Sequence, residues 1–297
     1  MNLAELRSRV VLALLCFCAS ASLAATHPLN QPMGLAVDPK GNLYVANHGG
    51  NQILVYNPSG QQLTAKTITK DINAPMTLAW DALGNLWVSN VQPTSPIDEY
   101  FSYYQPNGKE IDPAFGGSAF TVPAFALDGV GDLWVVSIDG SGSTFVSASN
   151  GPCVYSRAGA GYAQTYGSYT AIAARGPWIA FGTTTTATWE QVGPLLGGSF
   201  EISQLGQTVG AQLGVLAMTF DNNNNFYFAT NEGFGLTGIW FVNLTTGTAP
   251  MLNIAVGYQI SGLAVDSVHG LLYVSNASTN TIGVYSTSTY LQVGTIR

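Results

Sequence analysis

Side chains able to do chemistry are sparse in this sequence of 297 residues, which holds three histidines, three cysteines and 16 carboxylates. Zinc takes three or four His, Cys or carboxylate groups, and hard cations take several converging oxygens. His27 stands near the N-terminus, His48 in a connection between two predicted strands, and His269 in a turn, so they read as solvated residues. No metal site and no cofactor are expected. Cys16 and Cys18 fall in an apolar leader, which leaves Cys153 as a lone thiol before Val154 and Tyr155, where a small buried hydrophobe is the natural reading. Asp38, Asp81, Asp128, Asp221 and Asp266 recur at intervals of 43 to 47 residues across a single larger gap. Each is expected to cap its own turn by accepting backbone N–H groups.

The elements that carry these residues repeat. Met33-Gly-Leu-Ala-Val-Asp38 with Gly41-Asn-Leu-Tyr-Val-Ala-Asn47 returns as Met76-Thr-Leu-Ala-Trp-Asp81 with Gly84-Asn-Leu-Trp-Val-Ser-Asn90. It returns again ending at Asp128, Asp221 and Asp266, and a degenerate copy with Arg175 in place of the aspartate fills the gap. Each unit holds a short, small, apolar strand, a Gly/Asn turn, and a second strand whose aromatic (Tyr44, Trp87, Trp134, Phe228, Tyr273) suits contact with the next unit. A third strand is plain at Gln52-Ile-Leu-Val-Tyr56, and a weaker fourth is expected over 63–69 and 291–296. Strand patterns repeated at this period predict an all-β fold, a six-bladed β-propeller of four-stranded antiparallel blades. Blades would start near residues 32, 75, 122, 169, 214 and 260, within one domain spanning 25–297.

Ala36-Val37-Asp38, Gly41-Asn42 and Tyr44-Val45-Ala46-Asn47 resemble the repeat of the NHL and YVTN β-propeller families, and Tyr273-Val-Ser-Asn276 is similar to the second of these. The resemblance implies an exported, bacterial-type propeller and spans about residues 31 to 297. Such propellers include binding scaffolds, interaction modules and a minority of enzymes. Enzymes of the gluconolactonase and streptogramin-lyase types place carboxylates, Asn or His where the inner strands begin. Here those positions are Met33, Met76, Ala124, Thr170, Val215 and Ile260, mostly apolar.

Arg7 and Arg9 precede an apolar run at 10–17 and the small residues Ser22-Leu-Ala24, the pattern of a signal peptide over 1–24. Export to the periplasm or medium follows, with no membrane insertion after cleavage. Net charge is −7, charged residues make up 8% of the chain, and no Lys/Arg cluster occurs, so nucleic acid is excluded as a partner. The surface of Gly, Ser, Thr, Asn and Gln suits uncharged or weakly charged ligands.

Connections between second and third strands gather on one propeller face. The longest runs from Val91 toward Tyr104 and holds Asp98, Glu99 and Tyr100. Segments 183–190 and 231–237 add Trp189, Glu190, Glu232 and Phe234. Aromatics beside carboxylates suit sugar rings or peptides, although the same aromatics fit equally well into the core between blades. The expected function is a binding or interaction module using this face for a glycan or peptide. The alternatives are a lyase or lactonase with a pore-centred site, or a structural envelope or matrix protein.

Overall fold

The computed structural model describes residues 27–91, 101–111, 121–127, 133–138, 144–149, 162–166, 169–176, 178–184, 186–191, 207–210, 214–223, 225–233, 236–244, 246, 251–256 and 259–297. These residues form six antiparallel sheets. The first holds β1 (Pro32–Val37), β2 (Leu43–Asn47) and β3 (Gln52–Tyr56). The second holds β4 (Pro75–Trp80), β5 (Leu86–Asn90), β6 (Phe101–Tyr104) and β7 (Glu110–Ile111), and the third β8 (Thr121–Leu127), β9 (Leu133–Ile138), β10 (Thr144–Ser149) and β11 (Tyr162–Tyr166). The fourth holds β12 (Tyr169–Arg175), β13 (Trp178–Thr183), β14 (Thr186–Gln191) and β15 (Gln207–Gly210). The fifth holds β16 (Val215–Phe220), β17 (Asn225–Gly233), β18 (Leu236–Asn243) and β19 (Met251–Val256), and the sixth β20 (Ile260–Asp266), β21 (Leu271–Asn276), β22 (Thr281–Ser286) and β23 (Gln292–Ile296). The strand expected over 63–69 is replaced by a 3-10 turn, Thr64–Lys66, and two isolated bridges, Ile53 with Ile68 and Tyr56 with Gln62.

Aspartate sets the turn after each of four inner strands. Asp38 Oδ1 accepts the N–H groups of Lys40 and Asn42 at 2.8 and 2.9 Å, and its Oδ2 accepts the Asn42 amide at 2.7 Å. Asp81 with Asn85 and Asp221 with Asn225 repeat this pattern. At Asp266 the amide is replaced by His269, whose Nδ1 lies 2.6 Å from Asp266 Oδ2. His269 is therefore an exposed turn residue, as expected, that also holds a buried carboxylate. The fourth sheet manages without an aspartate because Arg175 pairs directly with Trp178, and Gly176 turns the chain with φ of +53°. So short a reversal has no run of inward N–H groups to cap.

Six apolar clusters lie one at each seam between sheets. Tyr44 packs with Leu78, Leu86 and Val88 of the second sheet, Trp87 with Phe125, Leu133 and Val135 of the third, and Trp134 with Ile172 and Phe181 of the fourth. Ala171 and Ala180 meet Val215 and Met218, Ile239 meets Ile260 and Leu272, and Tyr273 with Ile282 meets Leu35 and Leu43. That last cluster joins the final sheet to the first, so the circuit returns to its start. In the fifth sheet Tyr227, not Phe228, faces the next sheet, while Phe228 packs back against the fourth. Counting from the turn asparagine shows why, since Asn42 to Tyr44 and Asn85 to Trp87 correspond to Asn225 and Tyr227, and a one-residue slip exchanges faces.

Burial of these tyrosines makes the fold sensitive to alkali. Tyr44, Tyr56 and Tyr273 are pushed from the ordinary value of 10.0 up to about 12, chiefly by desolvation. A raised phenol pKa contributes stability that is complete below the unfolded value and is lost as pH rises through the folded one. Circular dichroism should therefore show a fold whose resistance to urea is steady up to about pH 9 and falls between about pH 10 and pH 12.

Candidate functional site: a channel lined by the inner strands

Each inner strand (β1, β4, β8, β12, β16 and β20) ends its sheet and is paired on one side only. All six line one cavity of about 820 Å³. Their free edges carry rows of N–H and C=O groups that no sheet neighbour satisfies. The wall is thus a cylinder of backbone hydrogen-bonding groups between small apolar residues such as Ala36, Ala79, Ala126, Ala173 and Ala264.

At the end where the inner strands begin, Gln31, His48, Thr77, Thr170, Gln259, Ser261 and Ser278 line the mouth. Seams between sheets use several of these groups. Ser261 Oγ donates to the Pro32 carbonyl at 2.5 Å and Thr170 Oγ1 to the Val215 carbonyl at 2.7 Å, each reaching the next inner strand. Asn51 Oδ1 accepts the Ala74 N–H at 2.8 Å, and Asn280 Oδ1 repeats the contact with the Gln31 N–H at 2.7 Å. Strand-ending asparagines serve within their own units, Asn47 accepting from Asn30 and Asn90 from Asn73. In the first two units the Val-x-Asn phrase therefore anchors the start of the inner strand.

His48 lies in the second-to-third-strand connection of the first sheet, with Nδ1 3.3 Å from the Pro75 carbonyl. A carbonyl only accepts, so in this contact Nδ1 carries the proton. Among the described residues no group of three or more His, Cys, Asp or Glu could hold a metal ion. The turn carboxylates are already engaged by their own turns, so a chelator should leave the melting temperature unchanged. A loss of several degrees would reveal a stabilising cation that binds the folded state.

The residues read from the sequence as a loop face are only partly located. Asp98, Glu99, Tyr100 and Phe234 lie outside the described residues, as do Cys153 and Asp128. Trp189 and Glu190 are in β14, opposite Ala180 and Ile179, which corrects their placement in a loop. The β-branched and aromatic run Thr186-Ala-Thr-Trp189 suits a pleated strand. Glu232 is also in a strand, beside the irregularity between Asn231 and Gly233. Of these three, Glu232 alone stands near the hairpins of that face. Sequence reasoning passed over Arg175 and His48 as channel residues; the one signal was the break in the aspartate series at 175.

The NHL repeat family matches residues 29–56. The chain has a β-propeller fold and carries an NHL repeat. No curated protein matches it. Among solved structures, virginiamycin B lyase from Staphylococcus aureus aligns at 14% identity with a TM-score of 0.52, over 88% of this chain and 82% of that one. A catalytically inactive form of the same lyase with quinupristin aligns at 15% and 0.55, over 91% and 85%. Hydrazine synthase of Kuenenia stuttgartiensis aligns at 12% and 0.57, over 90% and 80%. Two such different activities on one architecture mean that the likeness speaks for the fold and not for the chemistry.

Proposed function

We propose that this protein is an exported, closed six-bladed β-propeller that binds a ligand with a polar, uncharged body, of glycan or peptide class, in its central channel. The observation that carries this reading is the cavity itself, large enough for a small oligomer and walled by the free edges of six inner strands and small side chains. The ligand enters from the face of the second-to-third-strand connections, because His48, Ala277 and Ser278 belong to those connections and line the mouth. Support for six blades comes from the six sheets and six seam clusters. Profiling the mature protein against glycans, peptidoglycan fragments and peptides tests the reading, with saturable binding expected for one class. Uniform failure to bind would favour a structural envelope role.

A second reading, a lyase or lactonase, is favoured by one observation: the imidazole of His48 at the mouth. Quinupristin, present in one of the similar structures, is the first substrate to try. On the binding reading its mass is unchanged after incubation. Conversion that disappears in His48→Ala would replace binding by catalysis.

A further inference from the structure

Among the described residues Arg175 is the one Lys or Arg that lines the channel, and it stands at the end opposite the mouth, with Trp80, Leu127, Phe220 and Asn222 also lining that end. In a chain of net charge −7 this cation is half-buried, at the position where the other units place aspartate. Among the described residues the ion pairs join Lys70 to Asp71 and Glu110, and His269 to Asp266, and Arg175 is in none of them. Among the described residues the carboxylate whose charge acts on it is Asp221 of the fifth sheet. That carboxylate is committed elsewhere, since its Oδ1 takes the N–H groups of Asn223 and Asn225 at 2.7 and 2.8 Å and its Oδ2 the Asn225 amide at 2.7 Å.

A guanidinium carries five N–H donors in a planar fork that matches a carboxylate in two parallel bonds. Taking it partly out of water costs free energy unless such a partner arrives. Desolvation does lower the Arg175 pKa from its ordinary value, and the Asp221 charge only partly opposes this. An incoming carboxylate would remove the penalty.

We infer that the inner end of the channel is a carboxylate-binding subsite built on Arg175, so that the ligand is a chain with an uncharged body and one terminal carboxylate, such as a peptide C-terminus or a uronic acid. Beside Arg175 and Asp221 a monocarboxylate adds one negative charge where a phosphate dianion adds two. A phosphate dianion would leave excess charge beside Asp221, so the subsite discriminates against it. This inference rests on the channel-binding reading and adds the ligand's charge and orientation to it, carboxylate inward and body toward the mouth.

The test uses two matched pairs of probes, acetyl-Ala-Ala against its C-terminal amide and glucuronate against its methyl ester, with inorganic phosphate as a fifth probe, titrated by NMR into wild type, Arg175→Met and Arg175→Lys. In wild type at least one acid should bind about tenfold or more tightly than its neutral twin, and phosphate should bind weakly. The pair that discriminates tells a peptide from a sugar source. The preference should vanish in Arg175→Met and return in part in Arg175→Lys, with both variants checked for native circular dichroism. If Arg175→Met fails to fold, the acid-over-neutral ratio in wild type and Arg175→Lys carries the test alone. Acids that bind no better than their neutral twins, or a preference that survives in Arg175→Met, overturn the subsite while neutral probes that still bind leave the channel reading standing. No binding by any probe overturns the subsite, and the channel reading falls with it only if the glycan and peptide profile is also empty.

Discussion

Replacing Trp87 by Ala should cost about 3 to 5 kcal/mol of stability, the range for removing a large buried aromatic. Trp87 is 1% exposed and sits in the seam between the second and third sheets with Phe125, Leu133 and Val135. Its ring lies 4.4 Å from that of Tyr103 and meets Phe101 edge-on at 6.3 Å. Its Nε1 also donates to Asp81 Oδ2 at 3.3 Å, on which the Asn85 amide and the Tyr103 hydroxyl converge. Burial works against ionisation of Asp81, but these donors outweigh it and hold its carboxyl below the ordinary carboxylate range. The substitution therefore opens a cavity and strips one donor from a partly buried charge. Guanidinium unfolding measures it, with Leu83→Ala, 74% exposed, as a control expected to change stability by less than about 0.5 kcal/mol. A cost below about 1 kcal/mol would mean that the seam is not packed as described.

Closure of the circuit gives the second large effect. A Cβ added at Gly262 would lie 2.4 Å from the Met33 carbonyl oxygen, and one added at Gly34 would lie 2.4 Å from that of Met76. Both glycines mark where one inner strand passes closest to the next, and the obstacle is backbone, which cannot rotate away. Gly262→Ala should push the sixth sheet off the first and cost about 1 to 3 kcal/mol. It also disturbs Ser275 Oγ, which donates to the Met33 carbonyl at 2.7 Å. Gly294→Ala is the matched control, since its nearest contact is Val284 Cβ at an ordinary 3.7 Å, and it should be neutral or slightly stabilising. If the two variants melt alike, the first and last sheets are not in contact in solution.

The repeat made strand order and turns legible before any coordinates, because a small apolar strand, an aspartate and an asparagine at fixed spacing leave the backbone few alternatives. Tyr44, Trp87 and Trp134 were readable as seam residues for the same reason. Misreadings arose where the pattern loosened. The sequence points to Phe228 rather than Tyr227 because the asparagine run at 222–225 hides which asparagine closes the turn, and only pairing register fixes the face. Trp189 and Glu190 read as loop residues in the sequence because the threonine run at 183–186 hides where one strand ends and the next begins. The channel was the least legible feature. Its lining is mostly backbone at the free edges of six strands far apart in sequence, and backbone edges leave no residue-type signal. Arg175 was visible as a departure from the repeat, but its place at the inner end of the channel depends on how the fourth sheet meets the fifth.

The central claim, that ligand enters the channel past the second-to-third-strand connections, is tested most directly by measuring affinity and melting temperature together on Ala277→Trp. Ala277 lies in the turn after β21 and lines the mouth, so an indole there obstructs access without cutting into a seam cluster. For whichever glycan or peptide the wild type binds, the account predicts affinity reduced about tenfold or more with a melting temperature close to that of wild type. Undiminished affinity in a natively folded Ala277→Trp protein would contradict it and place the binding surface outside the channel.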